Sequence, residues 1–384
     1  MFKKSLAALA VLGVAAGYAS AADVTLYGIV DTGLIYTHQK FDDGNESVKT
    51  DSFSLDSGVS SASRFGLKGT EDLGNGLTVG FKLENGFAAD DGTLSQDGRL
   101  FGREASVSLS GAFGTLSAGR MGGVGSAAGT YDVVFNTADA FDGGDNNVFG
   151  LATSDRYDNM VTYQTPKFAG MQATVQYSFN EDSKTDSKLR EGSAAVNRYA
   201  SAALTGDFGA LQTVVAYEFQ NYKSVDVEAR EDGHIVYLGG NYDCGFAKTF
   251  VMGQYFKGIK AAQLSAINWI DGYDEIDNGY VDATNPDNNV DAATDGLKGY
   301  GLHLGTVVPV AGGDLTVAAY FTDFDIEWND GKKGMKSYAL GAKYEYYLSK
   351  RTSLYTGAGY NQLKSDEDFK AQVAQAYVGL THRF

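Results

Sequence analysis

An antiparallel β-barrel of about sixteen strands that crosses a membrane is the fold class the sequence predicts. Three observations predict it. Apolar and polar residues alternate with period two through most of the chain; the breaks between the alternating segments are short and long in turn; and the chain stops on Phe384, inside the patterned run AYVGLTHRF, with no polar tail. A soluble sandwich would share only the first of these.

The elements follow in chain order. Residues 1–21 place Lys3 and Lys4 before an apolar run from Leu6 to Ala16 and a small-residue site at Ala19-Ser20-Ala21, the order of a cleaved secretory signal. Its removal takes two lysines from a formal charge of −17, leaving −19. Residues 22–384 then form one barrel domain. No later stretch approaches the roughly 20 consecutive apolar residues a membrane helix needs. Forty-nine Gly, three Pro, 24 Tyr and 22 Phe suit turns and aromatic strand positions. Cys244 stands alone, so no internal disulfide is possible.

Alternation is clear in LTVGFKLE, where Leu77, Val79, Phe81 and Leu83 oppose Thr78, Gly80, Lys82 and Glu84, and in MQATVQYSF. Short breaks at 71–77, 110–116, 165–171, 205–211, 242–248, 308–315 and 347–353 read as tight turns. Long polar segments lie at 38–60, 87–100, 121–155, 180–197, 221–233, 257–298, 323–336 and 362–372. About seven turns and eight loops join about sixteen strands, with both termini on the short-turn rim. The last strand, near 373–384, must close against the first, near 24–37, because an open edge cannot stay unpaired in lipid. Phe384, Tyr346, Tyr347, Phe179 and Phe219 suit the aromatic girdles at the membrane interfaces.

Five segments now carry a resemblance: TLYGIVDTGL (25–34), SRFGLKGTEDLGNGLTVGFKLENGF (63–87), LFGREASVSLSGAFGTLSAGR (100–120), RYDNMVTYQTPKFAGMQATVQYSF (156–179) and AYVGLTHRF (376–384). In order and over nearly the whole mature chain, they resemble the general diffusion porins of Gram-negative outer membranes. The resemblance implies a homotrimer of sixteen-stranded barrels in the outer membrane, amid lipid and lipopolysaccharide, with the third long loop, 121–155, folded into the pore. It implies that Phe384 is part of the signal read by the barrel-assembly machinery. It places the basic wall of the constriction on Arg64, Arg103 and Arg156.

Alternation in SRFGLKG independently turns Arg64 and Lys68 to water, away from Phe65 and Leu67. For Arg103 it gives the opposite face, that of Ala105, Val107 and Leu109, so a bulge or a strand-end position is required. The segment 121–155 carries Asp132, Asp139, Asp142, Asp145 and Asp155 without a basic residue, and a loop of that length is usually functional. Its AFDGGD resembles the family's constriction motif but lacks the Pro-Glu pair that many members carry. Asp132, Asp139, Asp142 and Asp145 are the expected acids of the narrowing, Asp139 and Asp142 foremost, and Lys68 is expected to join the three arginines on the basic wall.

Other chemistries find little support. Gly122, Gly123, Gly125 and Gly129 form no dinucleotide loop, since no helix pattern follows. The stretch 271–296 is acid-rich but lacks calcium-loop order, leaving loosely bound divalent cations at acidic loops as the only metal expectation and no cofactor. His38, His234, His303 and His382 are scattered, with no zinc spacing and no nucleophile motif beside them. The negative charge disfavours a nucleic-acid partner. A non-enzymatic, passive channel for ions and small hydrophilic solutes is therefore expected, with a slight cation preference from the acidic mouth. A substrate-specific channel for a sugar, phosphate or organic acid is the alternative, ahead of an outer-membrane enzyme or an adhesin.

Overall fold

The computed structural model describes residues 23–42, 44–127, 129–143, 150–179, 196–222, 231–260, 263–267, 296–328, 331–366 and 368–384. The signal segment, Asp145 and most of the acidic stretch 271–296 lie outside them. One antiparallel sheet of seventeen segments closes on itself. These are β1 (Asp23–Asp42), β2 (Ser47–Ser57), β3 (Arg64–Gly74), β4 (Leu77–Gly86), β5 (Glu104–Gly111), β6 (Gly114–Gly122), β7 (Arg156–Gln164), β8 (Met171–Ser178) and β9 (Arg198–Phe208), followed by β10 (Leu211–Asn221), β11 (Gly233–Asp243), β12 (Lys248–Ile259), β13 (Gly296–Val310), β14 (Gly313–Trp328), β15 (Gly331–Tyr347), β16 (Thr352–Ser365) and β17 (Lys370–Arg383).

Seventeen segments fill sixteen places. β2 pairs with Thr32–Asp42 of β1 and β3 with Asp23–Ile29, so the two are halves of one strand interrupted at 58–63. Gly58 turns the chain there with φ of 73°. The buried Asp31, in TLYGIVD, holds the interruption in place by accepting from Ser60 N–H at 3.2 Å and Tyr355 Oη at 2.8 Å, and from the Thr381 hydroxyl.

Closure is as the sequence requires. β1 pairs with β17 from Ile29–Arg383 to Asp42–Lys370, and Gly28 and Phe384 exchange both backbone hydrogen bonds at 3.0 Å. With no free edge, every ladder group of the last strand has a partner. Phe384, Tyr346, Tyr347 and Phe179 are exposed on the outer surface. All seven short turns fall where expected. One of the two-residue turns, at Gly74-Asn75-Gly76, carries positive φ at each residue, which suits Gly and Asn.

On the other rim three expected long loops, 38–60, 323–336 and 362–372, are instead tall hairpins. β1, β14 and β15 have 20, 16 and 17 residues, well beyond the roughly 9–11 that span a bilayer. Above the lipid both faces of a strand can be polar, so polarity there does not distinguish strand from loop.

The interior is asymmetric. On β3–β6 the inward positions are polar: Thr78, Gly80, Lys82 and Glu84, with Ser106 and Ser108 beside them. On β10–β14 the inward positions are largely apolar, including Val214, Ile235, Tyr237, Met252, Ala318 and Tyr320, and they bury Val134, Phe135, Ala138 and Phe141 of the loop 123–155. That loop lies against one half of the wall.

Candidate functional site: a charged constriction

The basic wall is built where strands begin. Arg64 opens β3 and Arg156 opens β7; Arg103 stands just before β5, at a strand end, one of the two placements that alternation allows. Arg103 lies within electrostatic reach of both Arg64 and Arg156, so the three guanidinium groups form one ladder. Their surroundings differ. Arg103 is nearly buried, and its Nε donates to Glu84 Oε1 at 2.7 Å. Arg64 Nε donates to the Ala62 carbonyl, at 2.8 Å, and Arg156 Nε is buried without a hydrogen-bond partner among the described residues. Neither Arg64 nor Arg156 forms a side-chain ion pair within 4.0 Å among the described residues, although Glu84 lies within electrostatic reach of both and Asp155 of Arg156.

Arg120 on β6 and Arg99 extend this wall but share Asp158, at 2.7 and 3.0 Å. Lys82 is likewise committed, to Glu104 at 2.8 Å and Glu84 at 3.6 Å. Lys68, expected in the basic wall, lies instead further toward the short turns, over the Tyr27 ring at 5.1 Å, in a hollow separate from the ladder.

The acids of the loop divide sharply. Asp139 has a fully buried side chain, turned into the wall rather than the pore. It accepts from Tyr320 Oη at 2.8 Å, from the N–H groups of Phe141 and Gly143 at 3.3 and 2.7 Å, and lies 3.2 Å from His303 Nε2. Asp132 is also buried and caps the helical turn Phe135–Ala138 through Phe135 N–H at 3.2 Å. Burial and the neighbouring Asp142 push the Asp132 carboxyl well above the usual range. Neither buried acid is a pore-lining charge. Their positions correct the expectation of Asp132 and Asp139 in the narrowing, because a docked loop needs anchors as much as it needs pore charges.

Asp142 is the exposed member of the three. It sits at φ 52°, a conformation that turns the chain between the buried Phe141 and Gly143. Its carboxyl is raised by the protein crowded round it and by Asp139, with Arg64 and Lys343 pulling the other way. Open to water yet enclosed on most sides is what a pore narrowing imposes. Lys343, on β15, donates to Ser60 Oγ at 3.0 Å and covers the Phe141 ring at 5.5 Å, joining the β2–β3 interruption to the loop tip.

Two further anchors fix the loop. Glu218, buried on β10, accepts from Gly125 N–H at 3.0 Å, Tyr199 Oη at 2.5 Å and Tyr237 Oη at 2.9 Å. A Cβ on Gly123 or Gly125 would run into those tyrosines, which explains the glycines at the loop's root. Residues 263–267 turn into the barrel, with Leu264 bridging Ala152 and Gln263 O accepting from Thr153 N–H at 2.8 Å. Sequence reasoning missed Lys343, Glu218 and the Tyr320–His303 pair. Alternation in LGAKYEYY places Lys343 on the face of Gly341, but nothing local identifies the loop as its partner.

The chain matches the family model described as Gram-negative porin over residues 7–366. It is 34% identical to an outer membrane porin protein of Bordetella pertussis, over the full length of both, and 31% identical to outer membrane porin protein 32 of Delftia acidovorans, over 98% of this chain and 94% of that one. The solved anion-selective porin from Comamonas acidovorans superposes with a TM-score of 0.66 and 25% identity, covering 94% of this chain and all of that one. With a closed barrel, an inserted loop and a charged narrowing, this outer-membrane channel belongs to the Gram-negative porin family.

Proposed function

We propose that the channel is a general diffusion pore whose narrowing prefers anions. The observation that carries this reading is the imbalance at the narrowing: among the described residues Arg64 and Arg156 form no side-chain ion pair within 4.0 Å, while of Asp132, Asp139 and Asp142 only Asp142 is exposed, Asp139 is spent on the wall, and the exposed Asp155 stands at the loop's end beside Arg156. Fixed cations in a confined aqueous path favour anions over the acidic surroundings. The similarity to an anion-selective porin supports this choice over the cation preference expected from the outer acids. The pore works as a homotrimer in lipopolysaccharide-containing membrane, with Phe384 as the assembly signal; divalent cations bind only loosely, at the acidic outer loops.

The test is single-channel current in a planar bilayer under a salt gradient. Ohmic openings in groups of three with an anion-directed reversal potential are expected. A cation-directed potential would reject the assignment of the arginine ladder, and small currents blocked by one solute at low concentration would favour a specific channel.

A further inference from the structure

Below the narrowing, the polar wall holds a second feature: a hollow of about 500 Å³ roofed by Thr130 and Tyr131 at the start of the loop. That volume falls within the roughly 300–1,000 Å³ typical of small-molecule sites. Its floor is two adjacent cross-strand rows. One runs Thr25, Lys68, Lys82, Ser106 and the next Asp23, Thr70, Gly80, Ser108, Ser117, each residue paired with its neighbour on the next strand. Gly80 sits mid-row, where a side chain would press on Ser108 Oγ. The missing side chain makes the depression.

The chemistry of the lining is distinctive. Seven Ser and Thr residues contribute to it, with Gln164 at one side. A hydroxyl both donates and accepts. Charges balance: Lys68 and Lys82 against Asp23 and Glu104. Lys82 and Glu104 neutralise each other directly, whereas Lys68 has no carboxylate within 4.0 Å among the described residues. A site with no net charge has little to offer an ion, but its mixed donors and acceptors match the vicinal hydroxyls of a neutral polyol.

We infer that this hollow is a weak binding subsite for neutral polyhydroxylated solutes, of mono- or disaccharide size, on the short-turn side of the narrowing. It deepens the diffusion-pore reading and rests on it. Retention stays weak, because a solute held tightly in a channel does not leave.

The experiment is current block by sucrose, added separately to each rim, with glucuronate as the charged counterpart. Saturable sucrose block, stronger from the short-turn rim, is expected. Gly80→Gln fills the depression without disturbing a left-handed backbone and should weaken the block about five-fold or more while channels still open. Lys68→Met, which removes one donor and unbalances the lining, should weaken it less. Were sucrose merely to lower current in proportion to bulk conductivity, or block Gly80→Gln as well as the parent, the subsite would be overturned. Saturating block by glucuronate alone would overturn it too. A folded barrel without current would instead defeat the diffusion-pore reading.

Discussion

The two halves of the barrel interior are made from the same strand geometry and do opposite work. The half formed by β3–β6 presents Lys82, Ser106 and Ser108 to the lumen; the half formed by β10–β14 presents Ile235, Tyr237, Met252 and Tyr320 to the inserted loop. The difference shows that a lumen need not be polar all round. Where a loop covers it, the wall is a protein core, stabilised by buried apolar area at about 25 cal/mol per Å². Asp139 and Asp142 express the same division three residues apart, one bonded to the covered wall and one within electrostatic reach of Arg64 and Lys343.

The largest expected effect comes from cutting the loop off the covered wall. Asp139→Ala strands the Tyr320 hydroxyl and two backbone N–H groups, a loss on the order of 3 kcal/mol of loop docking. Protease cleavage within 121–155 and noisy single-channel current are the readouts. A quiet channel with a protease-resistant loop would show that the apolar contacts suffice without the carboxylate.

Asp142→Arg acts on the open side alone. It should leave thermal unfolding of the barrel unchanged and raise anion over cation permeability by roughly a few-fold, since one acid becomes a fourth base at the narrowing. An unmoved reversal potential would remove Asp142 from the ion path.

Acidification gives the smallest change. An ordinary aspartate titrates near about 3.9, and Asp142 is raised above this by its surroundings. Protonation removes a negative charge, so anion preference should grow as pH falls, starting above the usual aspartate range. Asp142→Asn should abolish that step. If the step persists in this variant, another acid lines the path.

Much of this was legible along the chain. Period-two alternation and the seven tight turns located the strands, and of the bulge or strand-end position open to Arg103 the structure has the strand end. The tall hairpins were not legible, because polar strands above the lipid have the composition of loops. Nor were the roles of the acids: Asp132, Asp139 and Asp142 share one segment and one charge, and only the position of Tyr320, 181 residues from Asp139, separates an anchor from a pore charge.

By itself, then, the sequence determined the closed barrel, its two unlike rims and the residues available to the narrowing, since backbone satisfaction in lipid and side-chain alternation are local constraints. Only the tertiary structure decided which wall the loop covers, that Asp139 anchors while Asp142 faces Arg64 and Lys343, and that Gly80 opens a hollow in the opposite wall. Those outcomes depend on contacts between residues far apart in the chain, and no local pattern encodes them.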